Sequence, residues 1–356
     1  MEMIIKGVDT IEFKIIVEQA SSDFRKFIDD LRESANKDKI EKDIPLEKKH
    51  FKLSFITSKY YRIILRNEDF AIYFMDDFSD YNYNIKVKLS SKFIWTNGYK
   101  NAYEDALSFV ENLLGTSKIK EEKPLLRIDF CFDSDEIKFV ASDIKGFVTY
   151  ARKVNQRYER ENQKYKLTGY EIGNINGDIF LRIYNKTLEI ESSGKYWFKD
   201  IWKKNNWNEA EGKEVWRVEY KIKKKVLNEL RIFTFEDFVK KEKELWKYLT
   251  NDWFKIKSRR NKNNYNSKIK RKWKKVQKSV SLETDKIATR KPYRVGDLDS
   301  YYNQLLGLLT SIAAINNNFN QEENIEELVK KINQKQKIKE QTFEEMAETK
   351  NQDMDL

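Results

Sequence analysis

The stretch DIFLRIYNKTLEI, Asp178–Ile190, sets Arg182, Tyr184 and Lys186 at alternate positions around Leu181 and Ile183. Successive side chains of an extended chain point to opposite faces. The spacing therefore predicts a strand over 178–190, with Phe180, Arg182, Tyr184 and Lys186 on one face. Two other stretches share the design. LLRIDFCFD (125–133) sets Leu125, Arg127, Asp129, Cys131 and Asp133 against Leu126, Ile128, Phe130 and Phe132. VWRVEYK (215–221) sets Val215, Arg217, Glu219 and Lys221 against Trp216, Val218 and Tyr220. Each strand has a greasy side and a charged side, and each places an arginine two residues before a different group: Asp, Tyr or Glu.

If the three strands are neighbours, one sheet face collects Arg127, Asp129, Arg182, Tyr184, Lys186, Arg217 and Glu219. Such a face can be a solvated sheet laced with cross-strand ion pairs. It can also be a metal-dependent phosphodiester centre. Hard cations such as Mg²⁺ or Mn²⁺ take oxygen ligands, often one or two carboxylates plus substrate phosphate, and Asp129 and Glu219 suit that role. A tyrosine hydroxyl, with a pKa near 10, attacks phosphorus when a nearby cation favours the phenolate. Arginine grips phosphate with two parallel bonds.

Working outward, TIEFKIIVE (10–18) reads as a strand and SDFRKFIDDLRESA (22–35) as a helix, with Phe24, Phe27, Ile28 and Leu31 on one face. Short strand-like runs follow, then the helix YKNAYEDALSFVENLLG (99–115), stopped by Gly115. The pattern then recurs in outline: strand 125–133, helix 142–154, strands 166–173 and 178–190 joined by the NING turn, helix 195–205, strand 214–224 and helix 234–254. This gives an α+β class: antiparallel sheets with packed helices, two duplicated α/β halves, and a basic helical C-terminal region. The expected divisions are 1–118, 119–254 with the tyrosine, 255–320, and a polar tail 321–356 that is a solvated helix or disordered.

Composition narrows the chemistry. With 40% hydrophobic and 14% aromatic residues, the 356-residue chain can bury a real core. No apolar run reaches membrane-spanning length, and MEMIIKGVDTIEF lacks a secretory core. The single cysteine, Cys131, has no internal partner, which points to a reducing, cytoplasmic setting. One histidine, His50, rules out a histidine-rich metal site, and neither a Walker loop nor GxGxxG occurs. The net charge of +11 favours an anionic partner, nucleic acid above all. Between Asp252 and Glu283 lie 12 Lys or Arg and no acid. Arg259, Arg260, Lys262, Lys268, Lys270, Arg271, Lys272, Lys274 and Lys275 are therefore expected to contact phosphates. Trp253, Tyr265 and Trp273 are placed to stack on bases, Trp253 having a competing place in a helix core.

LLRIDFCFD, TGYEIGNINGDIFLRIYNKTLEI and VWRVEYKI, in that order, resemble the motifs of plasmid rolling-circle replication initiators of the Rep_trans type, themselves similar to relaxases of some conjugative elements. The resemblance spans about 125–225. It implies Tyr184 as the nucleophile on DNA; Arg182, Lys186 and Arg217 are then expected to stabilise the developing charge. It implies metal binding by Asp129 and Glu219 and a further carboxylate, for which Glu171, Asp133 and Glu189 are candidates and Glu171 is preferred. It implies an origin in single-stranded or hairpin form as partner, a host helicase and polymerase, a homodimer, and no membrane. Three alternatives stay open: a relaxase with the same chemistry, a non-enzymatic DNA-binding regulator, and an RNA-binding protein.

Overall fold

The computed structural model describes residues 3–37, 42–55, 60–75, 83–161, 164–258, 267–279, 288–290, 298–339 and 342–348. The chain falls into two compact units, Met1–Thr289 and Arg290–Leu356.

In the first unit the strands are β1 (Ile4–Gln19), β2 (Lys42–Leu46), β3 (Lys49–Phe55), β4 (Tyr61–Arg66), β5 (Phe70–Met75), β6 (Tyr83–Leu89), β7 (Lys118–Ile119), β8 (Leu125–Ser134), β9 (Phe147–Thr149), β10 (Val154–Glu161), β11 (Lys164–Gly173), β12 (Ile179–Asn185), β13 (Trp216–Lys223) and β14 (Phe254–Ile256). All but β9 and β14, which pair with each other, join one antiparallel sheet. Its order is β10-β11-β12-β13-β8-β1-β6-β5-β4-β3-β2, with β7 beside β1. The two halves thus repeat one topology. Each opens on a long strand, β1 or β8, that pairs with the last strand of its own meander, β6 or β13, and the long strands pair with each other at the centre.

The helices are α1 (Ser22–Lys37), α2 (Ser91–Asn97), α3 (Tyr99–Leu114), α4 (Lys186–Ser193), α5 (Trp197–Lys204), α6 (Lys224–Glu229), α7 (Phe235–Lys247) and α8 (Arg271–Lys278). The main core joins both halves. Ile128, Phe130 and Phe132 of β8 and Val218 and Tyr220 of β13 pack there with Phe24 and Ile28 of α1, Ala106 and Val110 of α3, and Phe238 and Trp246 of α7. Tyr103 of α3 stacks on Phe235 of α7 with ring centroids 3.9 Å apart. A smaller core of Met3, Ile190, Phe198, Trp202, Trp207 and Val215 includes residues of α4 and α5, with Trp95 of α2 packed against it.

Several expectations are corrected. Residues 142–154 are not one helix but a short 3₁₀ segment, Ala141–Gly146, followed by β9 and the start of β10. Asp143 is claimed by Lys270 and Lys272, both at 2.7 Å. A Cβ at Gly146 would lie 2.1 Å from the Lys257 carbonyl oxygen, so the backbones touch there and glycine is required. The strand predicted over 178–190 ends at Asn185, whose side chain accepts from Leu188 N and caps α4. The NING turn forms as expected, with Asn174 Oδ1 accepting from Asn176 N.

In the second unit, α9 (Leu298–Asn316) and α10 (Gln321–Lys339) are joined by an asparagine-rich turn in which buried Asn324 donates to the Asn318 and Asn320 carbonyls. No helix among the described residues is long and apolar enough to cross a membrane.

Candidate active site

The three arginine-bearing strands are neighbours. Register places Glu171 opposite Arg182, Arg182 opposite Glu219, and Glu219 opposite Cys131. The next row sets Gly169 opposite Tyr184, Tyr184 opposite Arg217, and Arg217 opposite Asp133. Because each strand alternates, these groups share one face.

Tyr184 is the centre of it. Its hydroxyl donates to Glu219 Oε2 at 2.9 Å, while Glu219 Oε1 accepts from Arg182. Arg182 and Lys186 lie 5.1 and 5.6 Å from the Tyr184 ring centroid. Burial, and then the Glu219 charge, push the phenol well above its usual value against the pull of Arg217 and Arg182. It is therefore a protonated phenol hydrogen-bonded to a carboxylate. The ring borders a cavity of about 310 Å³, walled by Arg157 and Tyr158 of β10, Glu171 of β11, Arg182 of β12, and Leu188 and Ser192 of α4. Gly169 keeps this side open, because a Cβ there would lie 2.6 Å from the Ile183 carbonyl oxygen and 3.0 Å from Tyr184 Cβ.

The roles of the predicted cations separate. Arg217 is wholly buried, fixed by Asp133 at 2.6 and 2.8 Å and by Asp9 at 2.7 Å, beneath the rings of Phe198 and Trp95. Its guanidinium lies 3.9 Å from Glu219 Oε2 and is closed off from solvent. Lys186 is not on the strand face as expected. It begins α4, buried, with its ammonium on Glu189 and 4.4 Å from the Phe198 ring. Burial, and then the Arg217 charge, lower its pKa. Arg182, with its side chain 46% exposed, is the cation that can reach a ligand.

Asp9 is the residue that the sequence pattern hides. Between Val8–Phe130 and Thr10–Asp129 the β1–β8 ladder gains one residue on β1, and Asp9 is that bulge. Its Oδ1 takes Arg217, Ser91 Oγ at 2.8 Å and Trp95 Nε1 at 3.1 Å. Burial alone would raise its pKa, but Arg217, Lys186 and these donors bring it down to about 2. The one signal in the sequence is that Asp9 falls in the same alternation phase as Ile11, Phe13, Ile15 and Val17.

Asp129 accepts two bonds from Arg127, one at 2.7 Å, and is raised to about 6 by burial, opposed by Arg127 and reinforced by the charges of Glu219 and Asp9. Asp129 and Glu219 thus feel one another's charge, and both are already engaged, Asp129 by Arg127 and Glu219 by Arg182 and Tyr184. Glu171 does not join them. It lies beyond Arg182 and pairs with Arg157 at 2.8 Å. Asp133 is spent on Arg217 and Trp202, and Glu189 on Lys186. Among the described residues, no group of three His, Cys, Asp or Glu side chains is placed to hold a metal.

Among solved structures, a rolling circle replication initiator protein from Geobacillus stearothermophilus is similar. The likeness covers 77% of this chain and 97% of that one, at 14% identity and a TM-score of 0.44. It assigns no residue here a role. No protein-family model matches the sequence, and no curated protein matches it.

The basic segment is only partly a free surface. Lys270 and Lys272 pair with Asp143, and Lys275 with Glu136 at 3.3 Å. Lys268, Arg271 and Lys274 are exposed. Trp273 cannot stack on bases as expected. It is fully buried against Phe254 and donates to the Thr250 carbonyl at 2.9 Å. Trp253 is likewise in the core. Arg259, Arg260, Lys262 and Tyr265 lie outside the described residues.

Proposed function

We propose that the protein nicks and rejoins a DNA strand through a phosphotyrosine on Tyr184, in the manner of an initiator of rolling-circle replication. The observation that carries this is the Tyr184 hydroxyl, bonded to Glu219 at 2.9 Å beside Arg182 at the wall of an open cavity. The Tyr184 oxygen attacks a backbone phosphorus and its proton passes to Glu219. The bond from phosphorus to the 3′ oxygen breaks. The proton ends on that oxygen, leaving a 5′-phosphotyrosine and a free 3′-OH for a host polymerase and helicase to use. Arg182 meets the charge that develops on the phosphate, while Arg217 and Lys186 act from beneath. Asp129 and Glu219 would hold Mg²⁺ or Mn²⁺, which when bound neutralises phosphate charge. Rejoining reverses the steps and conserves the bond energy, so no nucleotide is hydrolysed.

The test is covalent trapping. Wild type and Tyr184→Phe are incubated with supercoiled DNA and labelled single strands carrying the cognate origin, with Mg²⁺, Mn²⁺ or chelator. A nick with a protein–DNA adduct, lost in the variant, supports the reading. Binding without nick or adduct refutes it and leaves a DNA-binding regulator.

A further inference from the structure

We propose that the edge hairpin β10–β11, with Tyr150 at its base, grips single-stranded nucleic acid and leads it into the Tyr184 cavity. This rests on the nicking reading for its destination, though not for its binding. The hairpin is the outermost part of the sheet on the side of the site. From Tyr150 to Lys166 the chain has six Lys or Arg and two Glu. Arg152, Lys153, Arg160 and Lys164 carry no ion pair among the described residues. Three tyrosines stand out into solvent there: Tyr150 at 76%, Tyr158 at 43% and Tyr165 at 75% exposure.

Exposed aromatics between free cations are what unpaired bases and their phosphates require. The hairpin also runs into the cavity. Arg157, opposite Gly169, and Tyr158, opposite Leu167 across the β11 bulge at Thr168, both border the cavity that holds Tyr184. A duplex offers no unpaired base to such rings, and a cavity of about 310 Å³ has no room for one. The partner that fits is therefore a single strand. The charged outer edge of β10, VNQRYERE, also discourages sheet extension by another protein.

The experiment measures fluorescence anisotropy of the full chain with a labelled thymidine 20-mer and with a duplex of equal length, across a salt series. Tyr165→Ala and the pair Arg160→Glu with Lys164→Glu are compared with wild type at matched thermal stability. Tyr165→Ala is expected to weaken single-strand binding about fivefold or more. The charge-reversed pair is expected to flatten the salt dependence by about one unit of slope or more, with duplex binding little changed. Wild-type single-strand affinity and slope in both variants would overturn the proposal, and intact nicking in those same variants would leave the nicking reading standing. Weakened binding together with a wild type that never nicks would uphold the grip and reject only the nicking reading.

Discussion

Asp9→Asn removes one negative charge from the bulge and leaves a side chain that can still accept from Ser91 and Trp95. What it loses is the charge tie to Arg217 and Lys186. The carboxyl falls from its ordinary 3.8 to about 2, which corresponds to roughly 2 kcal/mol of stability at neutral pH. Because the folded value is the lower one, that contribution is complete above roughly pH 4, about half gone near pH 3, and lost as pH falls through about 2. Urea unfolding of wild type and Asp9→Asn at pH 7, 5, 4 and 3 measures it. The gap between them should be about 2 kcal/mol or more at pH 7 and 5 and narrow by about half at pH 3. A gap that stays constant over that range would refute the electrostatic account and reduce Asp9 to a shape-filling residue. The same variant should retain single-strand binding but nick more slowly, since Arg217 beneath Glu219 is then less firmly held.

Tyr184→Phe should abolish the adduct while changing stability by about 1 kcal/mol, the net worth of one hydrogen bond; a loss of fold would instead make the tyrosine structural. Glu219→Gln should slow single-turnover nicking by about 10² to 10⁴, the usual worth of a positioned general base, and a wild-type rate would move the proton elsewhere. Gly169→Ala forces a Cβ to 2.6 Å from the Ile183 carbonyl and should cost about 1–3 kcal/mol, read by thermal melting, with nicking reduced more than binding. Trp273→Ala should cost about 3–5 kcal/mol as a core truncation yet leave the salt slope of DNA binding unchanged; a flattened slope would return Trp273 to the interface.

The alternation in 125–133, 179–185 and 215–222 made the central strands and their shared charged face legible, because period-two patterning survives wherever one side of a sheet is greasy. It could not reveal that the charged face is itself covered at one end, where Phe198 and Trp202 of α5 and Trp95 of α2 close over Arg217 and Asp133. That covering turns Arg217 from a surface cation into a buried one. Strand β10 was illegible because an edge strand with two exposed sides has no apolar alternation to show. Lys186 was misplaced because the Asn185 cap converts the strand into α4 at the very residue where the alternation would have continued. Asp9 depends on a bulge, a register feature set by β8 more than a hundred residues away. The basic run at 255–278 gave its charge correctly but not its partners, since Asp143 and Glu136 reach Lys270, Lys272 and Lys275 only through tertiary packing.

The repeated topology sets a second tyrosine on the meander of the other half. β1 and β8 are equivalent strands paired antiparallel, the contact that two copies of one unit make around a two-fold axis. Tyr184 lies opposite Arg217 across β12–β13, and Tyr73 lies opposite Lys86 across β5–β6, with the Lys86 ammonium 4.0 Å from the Tyr73 ring. But the position of Glu219, opposite Arg182, is taken by Lys88, opposite Ala71. Tyr73 has its cation, and the acid that acts on it is Glu12 of β1, which adds to burial in raising its pKa. The two tyrosines therefore sit on like hairpins with unlike partners: Tyr184 donates to Glu219, whereas Lys88 stands two residues beyond Lys86 where Glu219 stands two beyond Arg217.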